Sequence, residues 1–178
     1  MKKLLVLLFL SLVLISTFNS CGSMHPQQFS DAQPRFIPEQ YFLGKTKGTG
    51  QFWDRSSNLK LNFTVDLDGS WDGKILTLKE LLRYDSGEVV NRIYEFTKIN
   101  DYSYELRCPD IEGVGKIESY GNTMKWSYYL KQKIGERLVT LYFDDWMFLR
   151  DGGVVLNRAF GQKWGFSIGE VFMSVQKL

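Results

Sequence analysis

Alternation at period two is the feature that most constrains this chain. Leu59, Leu61, Phe63, Val65 and Leu67 interleave with Asn58, Lys60, Asn62, Thr64 and Asp66. Met124, Trp126, Tyr128 and Leu130 interleave with Lys125, Ser127, Tyr129 and Lys131. Successive strand side chains point to opposite faces, so each run describes a strand with one buried and one wet face. Turn signals separate these runs from others: Asp68-Gly69, Asp72-Gly73, Asp85-Ser86-Gly87, Asn100-Asp101, Gly121-Asn122, Gly135-Glu136 and Asp151-Gly152-Gly153. Between them lie strands over 76–82, 89–99, 102–107, 113–120, 137–148, 154–160 and 168–176. Leu76 to Leu82 has the composition of a helix, but the turn after it leads straight into another strand, so it is read as a strand.

That makes about nine or ten strands joined by short hairpins, with no long helix. The expected fold is all-β, an antiparallel up-and-down β-barrel of lipocalin or calycin type, because closure removes the exposed edges an open sheet would leave. A barrel of this size can hold a small ligand, and 15% aromatic residues suit a lined cavity. Phe63, Met124, Trp126 and Tyr128 are the candidate lining.

The N-terminus carries a second pattern. Lys2-Lys3 precedes an apolar run from Leu4 to Ile15, then Ser16 to Ser20 and Cys21. Twelve residues fall short of the roughly 20 that cross a bilayer, so the run reads as a secretory signal, residues 1–20. Phe18-Asn19-Ser20-Cys21 resembles a bacterial lipobox, although Asn19 is unusual there; ordinary cleavage to a free soluble protein is the other reading. Lipidation at Cys21 would anchor the chain in a membrane through its acyl chains. In lipoproteins that it resembles, Asp after the Cys retains the protein in the inner membrane. Gly22 in that place implies the outer membrane, facing the periplasm. Residues 21–40 hold three of the four prolines and no apolar periodicity, and are expected to form a flexible linker reaching roughly 60 Å. The barrel is expected over 41–178.

Charge excludes one class of partner. Without Lys2 and Lys3 the chain has 20 basic and 20 acidic residues, and no basic stripe marks a nucleic-acid surface. The sole histidine, His25, falls in the expected linker, which leaves the barrel without Ser–His or Cys–His catalysis and without a His-based metal site. No Asp-x-Asp-x-Asp-Gly loop is present for Ca²⁺. Gly44-Lys45-Thr46 lacks the earlier glycine of a phosphate loop, so Gly44, Gly48 and Gly50 are read as a bend at a barrel corner. Cys108 is either a small packed hydrophobe beside Pro109 or a reactive thiol. No cofactor is implied.

The polar candidates are few. Glu80 and Arg92 fall on adjacent strands as diagonal neighbours, where an ion pair can bind a polar head group if it faces the lumen. Asp144 and Asp145 should point to opposite faces, so they form no simple acid–base pair; one is expected at the barrel end and the other on a turn or on Arg158. Asn157 and Arg158 complete the set.

Several of these residues also carry a resemblance. Gly48-Thr49-Gly50-Gln51-Phe52 with Asp54-Arg55, Trp71-Asp72-Gly73, Arg92, Phe143-Asp144-Asp145-Trp146-Met147, Asn157-Arg158, Lys163, Gly165, Gly169 and Glu170 resemble the bacterial lipoproteins grouped as domain of unknown function 3833. Tyr94 and Trp164 depart from that pattern by aromatic exchange. Gly69-Ser70-Trp71 also matches the Gly-x-Trp of lipocalin-type barrels, though mid-chain. The resemblance implies a barrel and no reaction.

Three functions follow as expectations. The first is a membrane-tethered, non-enzymatic barrel binding a lipid-like ligand. The second is a structural or assembly role, a solid barrel docking on an envelope protein through exposed aromatics among Trp53, Trp71 and Tyr129. The third is an enzyme, which requires Asp144 or Asp145, Glu80, and Lys163 or Arg158 to converge in one pocket.

Overall fold

The computed structural model describes residues 24–134 and 136–178. Ten antiparallel strands run β1 (Gly44–Asp54), β2 (Leu59–Trp71), β3 (Ile75–Tyr84), β4 (Val89–Asn100), β5 (Ser103–Arg107), β6 (Gly115–Tyr120), β7 (Thr123–Ile134), β8 (Arg137–Leu149), β9 (Val154–Lys163) and β10 (Phe166–Lys177). Each pairs with its sequence neighbours, and β1 pairs with β10 from Thr46↔Lys177 to Asp54↔Gly169. The sheet is therefore a closed up-and-down barrel, the architecture that the alternation predicts. Closure gives every strand a backbone partner on both sides, which a chain this rich in exposed β-branched and aromatic residues needs. Among the described residues no helix is long and apolar enough to cross a membrane.

The two ends differ. At the base, the turns after β2, β4, β6 and β8 gather around a sealed core. Leu76, Phe96, Leu106, Ile117, Met124 and Val155 are wholly buried there. At the mouth, the inward-facing Tyr84, Val90, Phe143, Val171 and Met173 pack against that core but keep partial exposure. Solvent thus reaches the upper lumen and not the lower.

Residues 24–40, expected as a flexible linker, are instead folded onto the barrel. A 3-10 turn (Pro26–Phe29) lies on the outside of β6 and β7, with Phe29 edge-on to Trp146 and Phe148. A one-turn helix (Pro38–Tyr41) then closes the base. Phe36 and Phe42 are 1% exposed, so this segment adds aromatic core that its prolines and glutamines disguise. Phe36 N–H donates to the Gly121 carbonyl (2.7 Å), and the Tyr41 hydroxyl donates to the Gly153 and Val175 carbonyls (3.0 Å each). Glu39 reaches the base of the lumen, where its carboxylate accepts from Lys98 Nζ (2.7 Å) and the Tyr104 hydroxyl (2.6 Å). Burial works to raise the Glu39 pKa, but these two bonds prevail and lower it.

This plug also explains one misplaced turn. Asp68-Gly69 lies inside β2 and not at its end. A Cβ on Gly69 would lie 1.9 Å from the Phe42 carbonyl oxygen, so the glycine is there for backbone contact with the plug. Gly121 is similar: its φ is +52° and a Cβ would meet the Phe29 carbonyl oxygen at 1.7 Å. A second difference concerns 113–120. β5 and β6 are short, and their missing halves leave a gap in the wall between β4 and β7. The loop 108–114 fills it through Lys131 N–H to the Asp110 carbonyl (2.8 Å), Glu112 N–H to the Tyr129 carbonyl (2.9 Å) and an Ile111↔Leu130 bridge.

Candidate functional site

The polar residues of the lumen come from β3, β4, β7, β8 and β9, all placed by the same alternation that buries the core. The turn at 85–87 pairs Tyr84 with Glu88 and sets Glu80 directly opposite Arg92, where a diagonal was expected. Both face inward between Leu78, Leu82, Val90 and Tyr94. Their side chains are 17% and 7% exposed. Arg92 spans the gap in the wall: NH1 donates to Glu80 Oε1 (3.4 Å), Nε to Asp110 Oδ2 (3.1 Å) and NH2 to Gln132 Oε1 (3.0 Å). The Tyr94 hydroxyl also donates to Glu80 Oε1 (3.4 Å). Burial raises the Glu80 pKa against the pull of Arg92.

Asp144 and Asp145 part as expected. Asp144 faces out, where it pairs with Lys125 Nζ (2.8 Å) and accepts from Trp146 Nε1 (3.3 Å). Asp145 faces the lumen and is 8% exposed. Asn157 Nδ2 donates to it and also to the Trp146 carbonyl (3.1 Å). Burial pushes the Asp145 carboxyl up to about 7, and the Asp144 and Glu80 charges add to this, against hydrogen bonds from Asn157 and Tyr128. A carboxyl in that range is both donor and acceptor near neutrality.

Arg158 does not join this group. It lies outside on β9, bonded to Glu170 through Nε (2.9 Å) and NH2 (2.8 Å) and stacked over Phe160 and Phe172. Its even position turns it away from Asn157, so the expected link to an Asp of 144–145 is replaced by Glu170. The combination demanded of an enzyme is thus divided: Glu80 and Asp145 share the lumen, while Asp144 and Arg158 are outside and Lys163 sits on the rim. Among the described residues no group of three or more His, Cys, Asp or Glu could hold a metal ion.

The four expected lining residues all face inward, at different depths. Met124 is wholly buried in the sealed base and lines nothing. Phe63 and Tyr128, each 8% exposed, border the open half. Trp126 stands between the two, edge-on to Phe96 (4.8 Å) and Tyr94 (5.8 Å). Among the described residues its indole N–H is buried without a hydrogen-bond partner, as is the Thr46 hydroxyl. An unpaired buried donor costs about 1–3 kcal/mol, a cost that a hydrogen-bond acceptor at Trp126 Nε1 would relieve.

Sequence reading missed Tyr94, Gln132 and Asp110. Tyr94 and Gln132 continue the inward registers of Arg92 and Leu130 and were legible as such. Asp110 sits in a loop that no periodicity reaches. Among the aromatics expected at the surface, Tyr129 is 54% exposed while Trp53 and Trp71 are only partly so. Cys108 is buried, with burial raising its thiol pKa, which agrees with the packed reading.

Comparison with known proteins places this geometry. Rv2717c from M. tuberculosis superposes with a TM-score of 0.57 at 14% identity, covering 83% of this chain and 99% of that one. The S-type phycobiliprotein lyase CPES from Guillardia theta does so at 0.56 and 9%, covering 79% and 90%. At these identities the likeness is one of fold, a calycin-like barrel. No curated protein matches the chain significantly. A family model does match, over residues 15–177, nearly the whole sequence, and the chain therefore belongs to the family described as protein of unknown function DUF3833.

Proposed function

We propose that the barrel is a binding module for an amphipathic, lipid-like molecule. Its polar group would meet the Trp126 indole N–H and Asp145, with Asn157 and the Glu80–Arg92 pair around them. Its apolar part would lie among Phe63, Leu82, Tyr84, Val90, Phe143 and Met173. The observation that carries this reading is the orphaned N–H of Trp126, the residue paired across strands with the inward Asp145, below an apolar lumen whose upper side chains keep partial exposure. Acylation of Cys21, which lies outside the described residues, and a station at the outer membrane facing the periplasm belong to the same proposal. No chemical step is assigned to the module.

The test is uptake of a fluorescent fatty-acyl probe by the full-length protein in mild detergent. Trp126→Phe removes the N–H and keeps the aromatic packing, so it should weaken probe retention about tenfold while leaving stability unchanged or higher. No uptake by the wild-type protein would overturn the reading in favour of a solid barrel docking on an envelope partner. One feature favours that second role: every nitrogen of Arg92 is already bonded within the protein. Mass spectrometry of the N-terminal peptide tests the anchor, and a mature chain starting elsewhere than an acylated Cys21 would remove it.

A further inference from the structure

The mouth carries a surface that the lumen does not use. The β9–β10 hairpin turns at Lys163-Trp164-Gly165-Phe166, with Trp164 86% and Phe166 74% exposed. Trp164 adopts φ +52°, a left-handed conformation that residues other than glycine seldom take. The turn thereby holds the indole outward, with Lys163 Nζ 4.6 Å from its ring centre. The β7–β8 hairpin runs past the end of β9, because pairing stops at Tyr142↔Gln162 while β8 begins at Arg137. Its outer face bears Leu138, 70% exposed and paired across from Lys133, with Lys131 opposite Thr140 below. A groove of about 650 Å³ separates the hairpins, floored by Tyr129 and Tyr142 and walled by Glu112 and Trp164.

We infer that these two hairpin tips form a membrane-contacting element that seats Trp164, Phe166 and Leu138 in the interfacial layer of an anionic bilayer. This rests on the membrane-tethered reading above. Three features commit the surface to lipid. The apolar groups stand on hairpin ends and not on a flat face, so they enter a soft phase more readily than they match a rigid partner. Indole rings favour the boundary between headgroups and acyl chains, where one edge is wet. Lys131, Lys133, Arg137 and Lys163 surround the tips against Glu112 and Glu136, and their long stems let the charges stay among phosphates while the apolar groups go deeper.

The experiment reconstitutes the full-length protein in vesicles of phosphatidylglycerol and phosphatidylcholine carrying bromine on the acyl chains. Bromine quenches only those tryptophans that approach the chains. The wild-type protein should show a blue-shifted, quenched emission component, and Trp164→Phe should lose it. Phe166→Ser should reduce the quenching of Trp164 about tenfold by removing the second apolar anchor. Purely zwitterionic vesicles, or raised salt, should weaken it because the cations are then unneeded or screened. Identical quenching in wild type and Trp164→Phe would overturn the inference and return the surface to a protein or glycan partner. Probe uptake by the lumen is read separately. Its failure with quenching intact removes the lumen proposal alone, and quenching lost with uptake intact removes this one alone.

Discussion

Replacing Asp145 by Asn should make the barrel more stable as the pH rises. In the unfolded chain this carboxyl ionises near 3.8, while in the barrel burial pushes it up to about 7. The sign follows from which state holds the proton. Below about pH 4 both states are protonated, and the group contributes no difference. Between about pH 4 and 7 the unfolded chain releases the proton while the folded barrel keeps it, so stability falls as pH rises. Above 7 both are ionised, and the full penalty of a buried carboxylate is present. That penalty approaches about 4 kcal/mol, at about 1.4 kcal/mol per pH unit. Asn keeps the oxygen that accepts from Asn157 Nδ2 and carries no charge at any pH. Urea unfolding of both proteins in mild detergent, followed by tryptophan emission at intervals from pH 4 to 8.5, gives the difference directly. The variant should match the wild type within about 1 kcal/mol at pH 4 and exceed it by about 2–4 kcal/mol at pH 8. A difference that does not change with pH, or a variant weaker than the wild type at pH 8, would refute an inward, desolvated Asp145.

Arg92→Met should cost about 3 kcal/mol or more in chemical denaturation, because it strands Glu80 in the lumen and unties the loop at Asp110 from Gln132; adding Glu80→Gln should recover most of that loss. Gly69→Ala should detach the plug without opening the sheet, read as rapid amide exchange over residues 36–42 with slow exchange kept in β6 to β9. Glu39 has a lowered pKa, so its contribution is present above the unfolded pKa and disappears as pH falls through the folded one. Acid titration of Glu39→Gln should accordingly show less loss of stability on going from pH 6 to pH 3 than the wild type shows.

The barrel was legible because a closed meander imposes period two on nearly every residue, and the turns between strands are written in Gly, Asp and Asn. The inward placement of Glu80, Arg92, Trp126, Asp145 and Asn157 follows from the same parity. The plug was not legible. Phe36, Tyr41 and Phe42 are spaced by no helical or strand period, and they sit among prolines and glutamines that belong equally to a linker. Their burial depends on a cleft that exists only once ten strands have closed. Gly69 misled for a related reason, since Asp-Gly inside a strand looks like a turn until the Phe42 carbonyl is set against it. Arg92 was found with its partner Glu80 but without Asp110, because Asp110 reaches it from the loop that replaces half of β5 and β6. Trp164 was noticed only as an aromatic exchange in the family pattern and Phe166 was not singled out; Gly165 marks a turn, but the left-handed φ of Trp164 before it has no marker in composition.

Native mass spectrometry of the full-length protein, released from its own membrane in mild detergent, tests the central claim most directly. The account predicts a noncovalent adduct of lipid-like mass, beyond any covalent acyl chains, that is retained on the folded barrel, lost on denaturation and depleted in Trp126→Phe. A folded wild-type protein whose mass is that of its polypeptide and covalent acyl chains alone would contradict it.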